Sequence, residues 1–265
     1  MSNKEKFYIT HLYPEEMSIY GDYGNIIAMQ YRLEKYGIEV VYQAVGLNQE
    51  LPQKTDFYFL GGGQDKEQLI IFKDLLEKKE KLIQDIENRV CLLAICGGYQ
   101  LLGNNFITGE RDIITGIGLF DVETKAPSNE VKTRCTGNLI IESYLEGLSG
   151  VKLIGFENHS GQTRILKKDR CHPLGKVLVG FGNNINKKYE GCVYKNAIGT
   201  YLHGSCLPKN PELTDWFIFK RLESKVRKGL MSKENFLKIK KIRIDDKIAL
   251  LNKQLLIERF SQETF

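Results

Sequence analysis

Short apolar runs alternate with amphipathic stretches through the first part of the chain. Phe7-Tyr-Ile-Thr-His-Leu reads as a strand, and Ile26, Met29, Leu33 and Tyr36 then fall at i, i+3, i+7 and i+10, one face of a helix that Gly37 can close. Residues 38–45 give a second strand and 56–60 a third, which runs into Gly61-Gly62-Gly63. A single long helix is predicted after it, with Leu69, Phe72, Leu76, Ile83 and Ile86 on its buried side. Residues 90–95 are then uninterrupted apolar between polar flanks, as in a central parallel strand covered on both faces. This order predicts an α/β fold with a doubly wound, mostly parallel sheet, whose ligand site lies beyond the carboxyl ends of its strands.

From Gly116 to about Gly204 the pattern changes. Gly, Asn and β-branched residues become frequent, and short strands are predicted at 138–142, 175–180 and 197–202, joined by turns such as Gly182-Asn-Asn. Pro208 and Pro211 precede a helical segment over 214–222, and Ile244, Ile248, Leu251 and Leu255 make a further helical stripe among lysines. The C-terminal quarter is therefore predicted to be helical and partly docked rather than a free basic arm.

Hydrophobic residues make up 42% of the 265 and charged residues 27%, with 6 prolines, so the chain is globular rather than collagen-like, Pro-rich or disordered. A net charge of +5 suggests a polyanionic partner until it is located. From Lys220 onward 13 Lys and Arg stand against 6 acids, which leaves 25 against 27, or −2, for residues 1–219. The basic excess therefore belongs to the C-terminal segment, whose regular apolar stripe and lack of interleaved aromatics do not suit nucleic acid. The polar start Met1-Ser-Asn-Lys-Glu-Lys is not a secretory signal, and the longest apolar run, 90–96, is far short of the ~20 residues that span a bilayer. Six cysteines without a C-x-x-C pair, in a chain large enough to fold without staples, predict reduced thiols in the cytoplasm.

The strongest chemical signal is Leu93-Ala-Ile-Cys96-Gly-Gly-Tyr-Gln-Leu-Leu-Gly. An apolar strand ends at a cysteine, two glycines permit a sharp turn, and a helix begins at once, which is the arrangement of a nucleophile elbow. Backbone N–H groups at the helix start, with the helix dipole, favour a thiolate and can hold the oxyanion of an acyl-transfer intermediate. The plainer alternative is a buried cysteine ahead of a glycine-rich helix start. A thiol nucleophile needs a base, and of His11, His159, His172 and His203 the last suits best, because it follows the strand predicted at 197–202, whose end shares a sheet rim with Cys96. His11 also ends a strand, while His172 beside Pro173 reads as solvated. Gly61-Gly62-Gly63 either cradles an anion or completes an oxyanion hole opposite Cys96. With no G-x-x-x-x-G-K-[ST] and no G-x-G-x-x-G, neither ATP nor a dinucleotide is expected here, and no His/Cys spacing suits a metal.

Together, Gly61-Gly-Gly, Ala94-Ile-Cys96-Gly-Gly-Tyr-Gln100 and Tyr201-Leu-His203-Gly resemble the class I, triad-type glutamine amidotransferases, in the CobB/CobQ-like branch that includes the amidotransferase domain of cobyric acid synthase. Tyr20-Gly-Asp22-Tyr-Gly-Asn25-Ile-Ile-Ala, Gly155-Phe-Glu-Asn-His159-Ser-Gly161 and Gly180-Phe-Gly-Asn-Asn184 narrow the likeness to the GatD type, the glutaminase subunits of lipid II isoglutaminyl synthase, over about 7–215. The resemblance implies a flavodoxin-like amidotransferase domain at 6–207 and a basic helical extension at 208–265, packed on or beside it. It implies hydrolysis of L-glutamine to glutamate and ammonia through a thioester on Cys96, with His203 moving the proton. Many class I members carry Glu two residues after this histidine. Here the position is Ser205, which leaves a dyad or a third member drawn from elsewhere. Asp22 is the candidate, and it either orients His203 or caps the following helix. Arg134 matches an arginine implied to bind the α-carboxylate of glutamine, a task its planar fork suits, although its sequence surroundings alone describe a solvated surface arginine. Gly62, Gly63, Gly97 and Gln100 complete the implied substrate-binding set, with Glu157 and His159 shaping the pocket. ATP, Mg²⁺ and lipid II would belong to a MurT-like partner of Mur-ligase fold, leaving this chain without a cofactor or metal of its own. The competing readings are another class I amidotransferase or γ-glutamyl hydrolase with a different acceptor, and a non-catalytic binding module on this fold.

Overall fold

The computed structural model describes residues 4–18, 21–63, 65–127, 134–167 and 169–262. Tyr20 of the first GatD-type motif, and Lys132 and Thr133 ahead of Arg134, lie outside the described residues. Strand β1 (Lys6–Leu12) leads to helix α1 (Tyr23–Lys35), which buries Ile26, Met29 and Leu33 as their spacing predicts. Gly37 follows that helix at φ +73°, where a Cβ would be strained. Strands β2 (Glu39–Val45) and β3 (Phe57–Leu60) come next.

The single long helix predicted after β3 is two helices, α2 (Asp65–Glu77) and α3 (Lys79–Glu87). They meet at Lys78, whose N–H bond to the Asp74 carbonyl is stretched to 3.3 Å while its ammonium is buried on the Asp74 carboxylate, 5.6 Å from the Tyr13 ring. The inward face also differs. Ile71, Leu75, Leu82 and Ile86 are buried and Leu69 is half exposed, because α2 is rotated to turn Gln68 inward, where its amide bonds Gly63 and Gln100.

Strand β4 (Cys91–Ile95) runs into the short helix α4 (Gly97–Leu101). Ten strands follow: β5 (Asn105–Ile107), β6 (Ile113–Thr115), β7 (Val122–Lys125), β8 (Cys135–Ser143), β9 (Lys152–His159), β10 (Gln162–Ile165), β11 (Gly175–Val179), β12 (Tyr189–Glu190), β13 (Cys192–Tyr194) and β14 (Ala197–Thr200). Helices α5 (Cys206–Lys209), α6 (Pro211–Arg227), α7 (Lys233–Lys240) and α8 (Lys247–Gln262) complete the described chain.

The main sheet has the order β13-β14-β4-β3-β1-β2, parallel throughout except for the antiparallel edge pair β13-β14. Its five parallel strands follow the flavodoxin-like doubly wound order. Every residue of β3, β4 and β14 is buried, which is why these segments carry no alternating polar positions. Two four-stranded sheets, β10-β7-β5-β6 and β12-β11-β8-β9, are built from the second half. The latter reaches the main sheet's carboxyl rim through a bridge between Phe156 on β9 and His203.

Helix α6 buries Leu213, Phe217, Ile218 and Leu222 in the core. The buried Arg32 guanidinium on α1 bonds both Asp215 on α6 and Asp246 ahead of α8, fastening the three elements together. The C-terminal stripe docks only in part: Ile244 packs against the core, and the rest of the stripe, on α8, faces outward. Ile248, Leu251 and Leu255 are 86%, 59% and 55% exposed, because the side turned to the body carries Lys253, ion-paired with Glu212, beside the partly buried Leu256, Ile257 and Phe260. Among the described residues no helix is long and apolar enough to cross a membrane.

Candidate active site

Four loops at the carboxyl ends of β1, β3, β4 and β14 supply the site. Cys96, between β4 and α4, holds φ +49° and ψ −105°, a strained backbone for a residue with a Cβ and the sharp turn that a nucleophile elbow requires. The surroundings impose it. Its N–H donates to the Thr200 carbonyl at 2.9 Å, its carbonyl accepts from Gln100 N–H at 3.0 Å, and a Cβ added at Gly97 would stand 2.8 Å from the Gly63 carbonyl oxygen. The glycine after the cysteine is thus dictated by the approach of two loops.

His203 is buried, with its backbone bonded both ways to Phe156, at 2.7 and 3.2 Å. Its Nδ1 lies 3.8 Å from Asp22 Oδ1. Burial by itself would lower the imidazole pKa, but the neighbouring Cys96 and the Asp22 carboxylate outweigh it and raise the value to about 10.

Asp22 sits at the position that would cap α1, yet its side chain makes no cap bond. Its Oδ2 accepts the Gly62 N–H at 2.7 Å and its Oδ1 faces His203. Ser205 holds this loop in place, donating from Oγ to the Gly21 carbonyl at 2.6 Å. Asn25 adds a second tie, with Nδ2 on the Asp22 carbonyl at 3.0 Å and Oδ1 accepting from Leu207 N–H at 2.8 Å. Neither Ser205 nor Asn25 carries a chemical signal of its own in the sequence.

The predicted glycine set divides. Gly62 gives its N–H to Asp22 Oδ2, a different partner from the oxyanion expected of it in the substrate-binding set. Gly63 and Gly97 are the pair whose backbones meet across the site. Gln100 is buried, giving Nε2 to Tyr201 Oη at 3.2 Å and accepting from Gln68 Nε2 at 3.2 Å. Gln68 also donates to the Gly63 carbonyl at 3.3 Å, so one amide ties the glycine loop to α4. Sequence reasoning missed Gln68; its trace was a polar residue on the stripe that α2 turns inward.

Arg134 is exposed immediately ahead of β8, away from the main sheet, with Nε donating to Asn158 Oδ1 at 2.6 Å. Asn158 is two residues along β9 from Phe156, the strand residue that brackets His203. On the same strand His159 stacks on Tyr201 with ring centroids 3.6 Å apart and donates Nδ1–H to the Gly161 carbonyl at 2.8 Å. Glu157 is buried and accepts the N–H groups of Phe181 and Gly182 at 2.6 and 2.8 Å. These residues form a packed wall. Under it, burial pushes the Glu190 carboxyl up to about 7 while it accepts from Thr200 Oγ1 and Tyr201 N–H, a buried acid absent from the predicted set.

The other histidines are placed elsewhere. His11 is buried among Tyr23, Tyr42 and Phe59, and burial, opposed by Asp22, lowers its pKa to about 4. His172 is exposed. All six cysteines are free thiols.

Residues 8–211 match the CobB/CobQ-like glutamine amidotransferase domain. The lipid II isoglutaminyl synthase (glutamine-hydrolyzing) subunit GatD of Staphylococcus aureus (strain N315) is 37% identical over 96% of this chain and 96% of its own. The corresponding Streptococcus pneumoniae subunit is 40% identical over 82% of this chain and 81% of its own. A probable cobyric acid synthase of Methanosphaera stadtmanae is 30% identical over 65% of this chain but only 36% of its own. Among solved structures, a glutamine amidotransferase shares the fold with a TM-score of 0.53 at 13% identity, over 80% of this chain and 98% of its own. The glutaminase domain of Trypanosoma brucei CTPS with bound acivicin does so at 0.53 and 10% identity, over 82% and 94%. With a domain match across most of its length and relatives of this closeness, the chain belongs to the CobB/CobQ-like glutamine amidotransferases.

Proposed function

We propose that this chain is the glutaminase subunit of a lipid II isoglutaminyl synthase, working in the cytoplasm with a separate MurT-like synthetase of Mur-ligase fold. The observation that carries the reading is the convergence of Cys96, His203 and Asp22 on one sheet rim, in a chain that GatD of Staphylococcus aureus matches along nearly its whole length. L-glutamine brings its carboxamide between Cys96 and the facing N–H groups of Gly63 and Gly97. The Cys96 thiolate attacks the amide carbon, and the two N–H groups hold the oxygen that gains the charge. The His203 imidazolium passes its proton to the amide nitrogen, the C–N bond breaks and ammonia leaves, so that Cys96 carries a thioester. Neutral His203 then takes a proton from water as the water oxygen attacks the thioester carbon. Collapse of that adduct expels the thiolate, frees glutamate and leaves His203 protonated again.

Asp22 acts through His203, stabilising the imidazolium on which both steps turn. Arg134 takes the α-carboxylate of glutamine at the rim. Ammonia passes to the synthetase, where ATP and Mg²⁺ activate the α-carboxylate of D-glutamate in the stem peptide of lipid II, and the product carries D-isoglutamine. The test is Cys96→Ala, reconstituted with the synthetase. Glutamate release from glutamine should vanish, while added ammonia should still support amidation of lipid II by the pair. Retained glutamine hydrolysis would overturn the thioester route. Glutamine-dependent amidation of some other acceptor, with none of lipid II by the wild-type pair, would favour a different amidotransferase.

A further inference from the structure

We propose that Glu190 is a positioning residue of the glutaminase site: as a carboxylate it fixes Thr200 and Tyr201, at the end of β14, in the geometry that aims both Cys96 and His203. The inference rests on the functional reading above and adds to that site a residue outside the predicted set.

The ties reach both reacting side chains. Glu190, on β12, is fully buried, and its Oε1 accepts from Thr200 Oγ1 and, at 2.8 Å, from Tyr201 N–H. Thr200 Oγ1 in turn accepts from Leu202 N–H at 3.1 Å, so one carboxylate oxygen governs three consecutive residues. The Thr200 carbonyl takes the Cys96 N–H at 2.9 Å, and His203 follows Leu202 directly. The ladder between β14 and β4 ends at the pair Thr200 and Ile95. Tyr201 and Leu202, between that pair and the Phe156 bridge at His203, give their N–H groups to the Glu190 network instead. The strained turn at Cys96 and the imidazole of His203 therefore hang from one short segment, which Glu190 holds from beneath.

The Gly180-Phe-Gly-Asn-Asn184 turn, which the glutamine chemistry does not use, builds this support. Gly182 stands at φ +72°, and a Cβ there would lie 2.7 Å from the Tyr189 carbonyl oxygen and 3.2 Å from Glu190 Cβ. Asn183 clamps Gly191, the residue after Glu190, with Nδ2 donating to its carbonyl and Oδ1 accepting its N–H, both at 2.9 Å. The turn thus locks the chain on both sides of the acid.

Charge separates this acid from a neutral acceptor. Hydrogen bonds to a carboxylate are roughly twice as strong as those to a neutral oxygen. Burial pushes the Glu190 carboxyl up, the Thr200 and Tyr201 donors pull it back, and the Glu157 carboxylate adds to the rise, which leaves it at about 7. The titratable groups around it are Glu157 on β9, Tyr99 on α4, Cys192 on β13 and Cys206 on α5. Burial pushes the last three up, so the charge acting on Glu190 from this set is that of Glu157. The grip on Thr200 and Tyr201 tightens as pH rises through the Glu190 value and slackens below it.

The experiment compares Glu190→Gln with wild type, each reconstituted with the synthetase, by steady-state glutamate release from about pH 5.5 to about pH 9. The amide oxygen of the variant still accepts from both donors, so its melting temperature should stay within about 4 °C of wild type. At the alkaline end kcat should fall about 5-fold or more with KM little changed, and at the acid end the two rates should converge to within about 2-fold. A ratio that stays constant across the range marks a purely structural role and overturns the proposal, as does an alkaline kcat within about 2-fold of wild type. Thr200→Val is an independent arm that carries the test where Glu190→Gln does not fold. It removes a donor that favours the carboxylate, so the acid limb should move to higher pH, and an unmoved limb overturns the proposal. If the wild-type complex releases no glutamate, it is the functional reading that falls. Alkylation of Cys96 by iodoacetamide, read by peptide mass on the chain alone, then makes the same comparison, and a constant ratio of wild type to variant overturns the proposal.

Discussion

Replacing Asp22 by Asn removes a charge while keeping a shape. The new side-chain oxygen can still accept the Gly62 N–H that Asp22 takes at 2.7 Å, so the loop keeps its tie. What is lost is a carboxylate 3.8 Å from His203 Nδ1. Two unit charges ~4 Å apart attract by about 4 kcal/mol at an effective dielectric of ~20. The rise of His203 from 6.5 to about 10 has a comparable size, is reached against burial, and is shared between Cys96 and Asp22. Loss of Asp22 should therefore cost the imidazolium about 2–3 kcal/mol; in thioester hydrolysis, where neutral His203 becomes the imidazolium, that corresponds to a fall in rate, and in kcat when this step limits turnover, of roughly 30- to 150-fold. KM for glutamine should change little, because Asp22 acts through His203. The folded pKa of His203 is raised, so its contribution to stability is complete below the unfolded value of 6.5 and is lost as pH rises through about 10. Activity should fall on that same alkaline limb, and in Asp22→Asn the limb should move to lower pH. Glutamate release by the reconstituted complex, followed from neutral pH to beyond the limb with melting curves alongside, measures all of this. A kcat within about 3-fold of wild type and an unmoved limb would refute the reasoning. A stability loss of about 1 kcal/mol with normal turnover would be the signature of a helix cap.

Gln68→Leu should lower kcat by about 10-fold or more, since it leaves the buried Gln100 Oε1 without its donor and frees the Gly63 loop; steady-state kinetics with urea unfolding separate the catalytic from the stability loss. Gln68→Glu should do no better, because a carboxylate cannot donate to either oxygen. Arg134→Ala should raise KM for glutamine by about 10-fold with kcat nearly unchanged, and an unaltered KM would return the residue to a solvated surface role. Ser205→Glu should reduce turnover and fail to rescue Asp22→Asn, because the larger side chain collides with the Gly21–Gly24 turn; recovery in the double variant would show that position 205 can supply the third member.

What the sequence made legible follows from the kind of force each feature answers to. Strands β3, β4 and β14 are buried on both faces, so they had to be predominantly apolar, and their order followed from the segments between them. The elbow at Cys96 was equally local, a strand end, two glycines and a helix start. Helical periodicity, by contrast, reports that an apolar side exists and not which way it points. On α2 two neighbouring stripes are apolar, and the choice of Ile71 and Leu75 over Leu69 was made by Gln68, whose partners lie at 63 and 100. On α8 the choice was made by Lys253 and Asp246, whose partners lie at 212 and 32. In both helices a few long-range polar bonds outrank a periodic apolar pattern.

The carboxylate that faces His203 shows the same competition. A sequence can place Asp22 at a helix start, but whether the carboxylate caps that helix or turns to the histidine depends on rival donors from distant loops. Gly62 supplies the winning N–H, and Ser205 and Asn25 secure the loop that presents the acid. The arrangement also excludes the alternative used by many class I enzymes. A Cβ at Gly24 would stand 2.3 Å from Ser205 Oγ, so the Asp22 loop closes directly onto the residue where those enzymes carry glutamate. Drawing the carboxylate from the loop after β1 and drawing it from two residues beyond the histidine are therefore mutually exclusive. A small hydroxyl at 205 is what allows the former: it occupies little room and fastens the Gly21 carbonyl, one residue before the acid that faces His203.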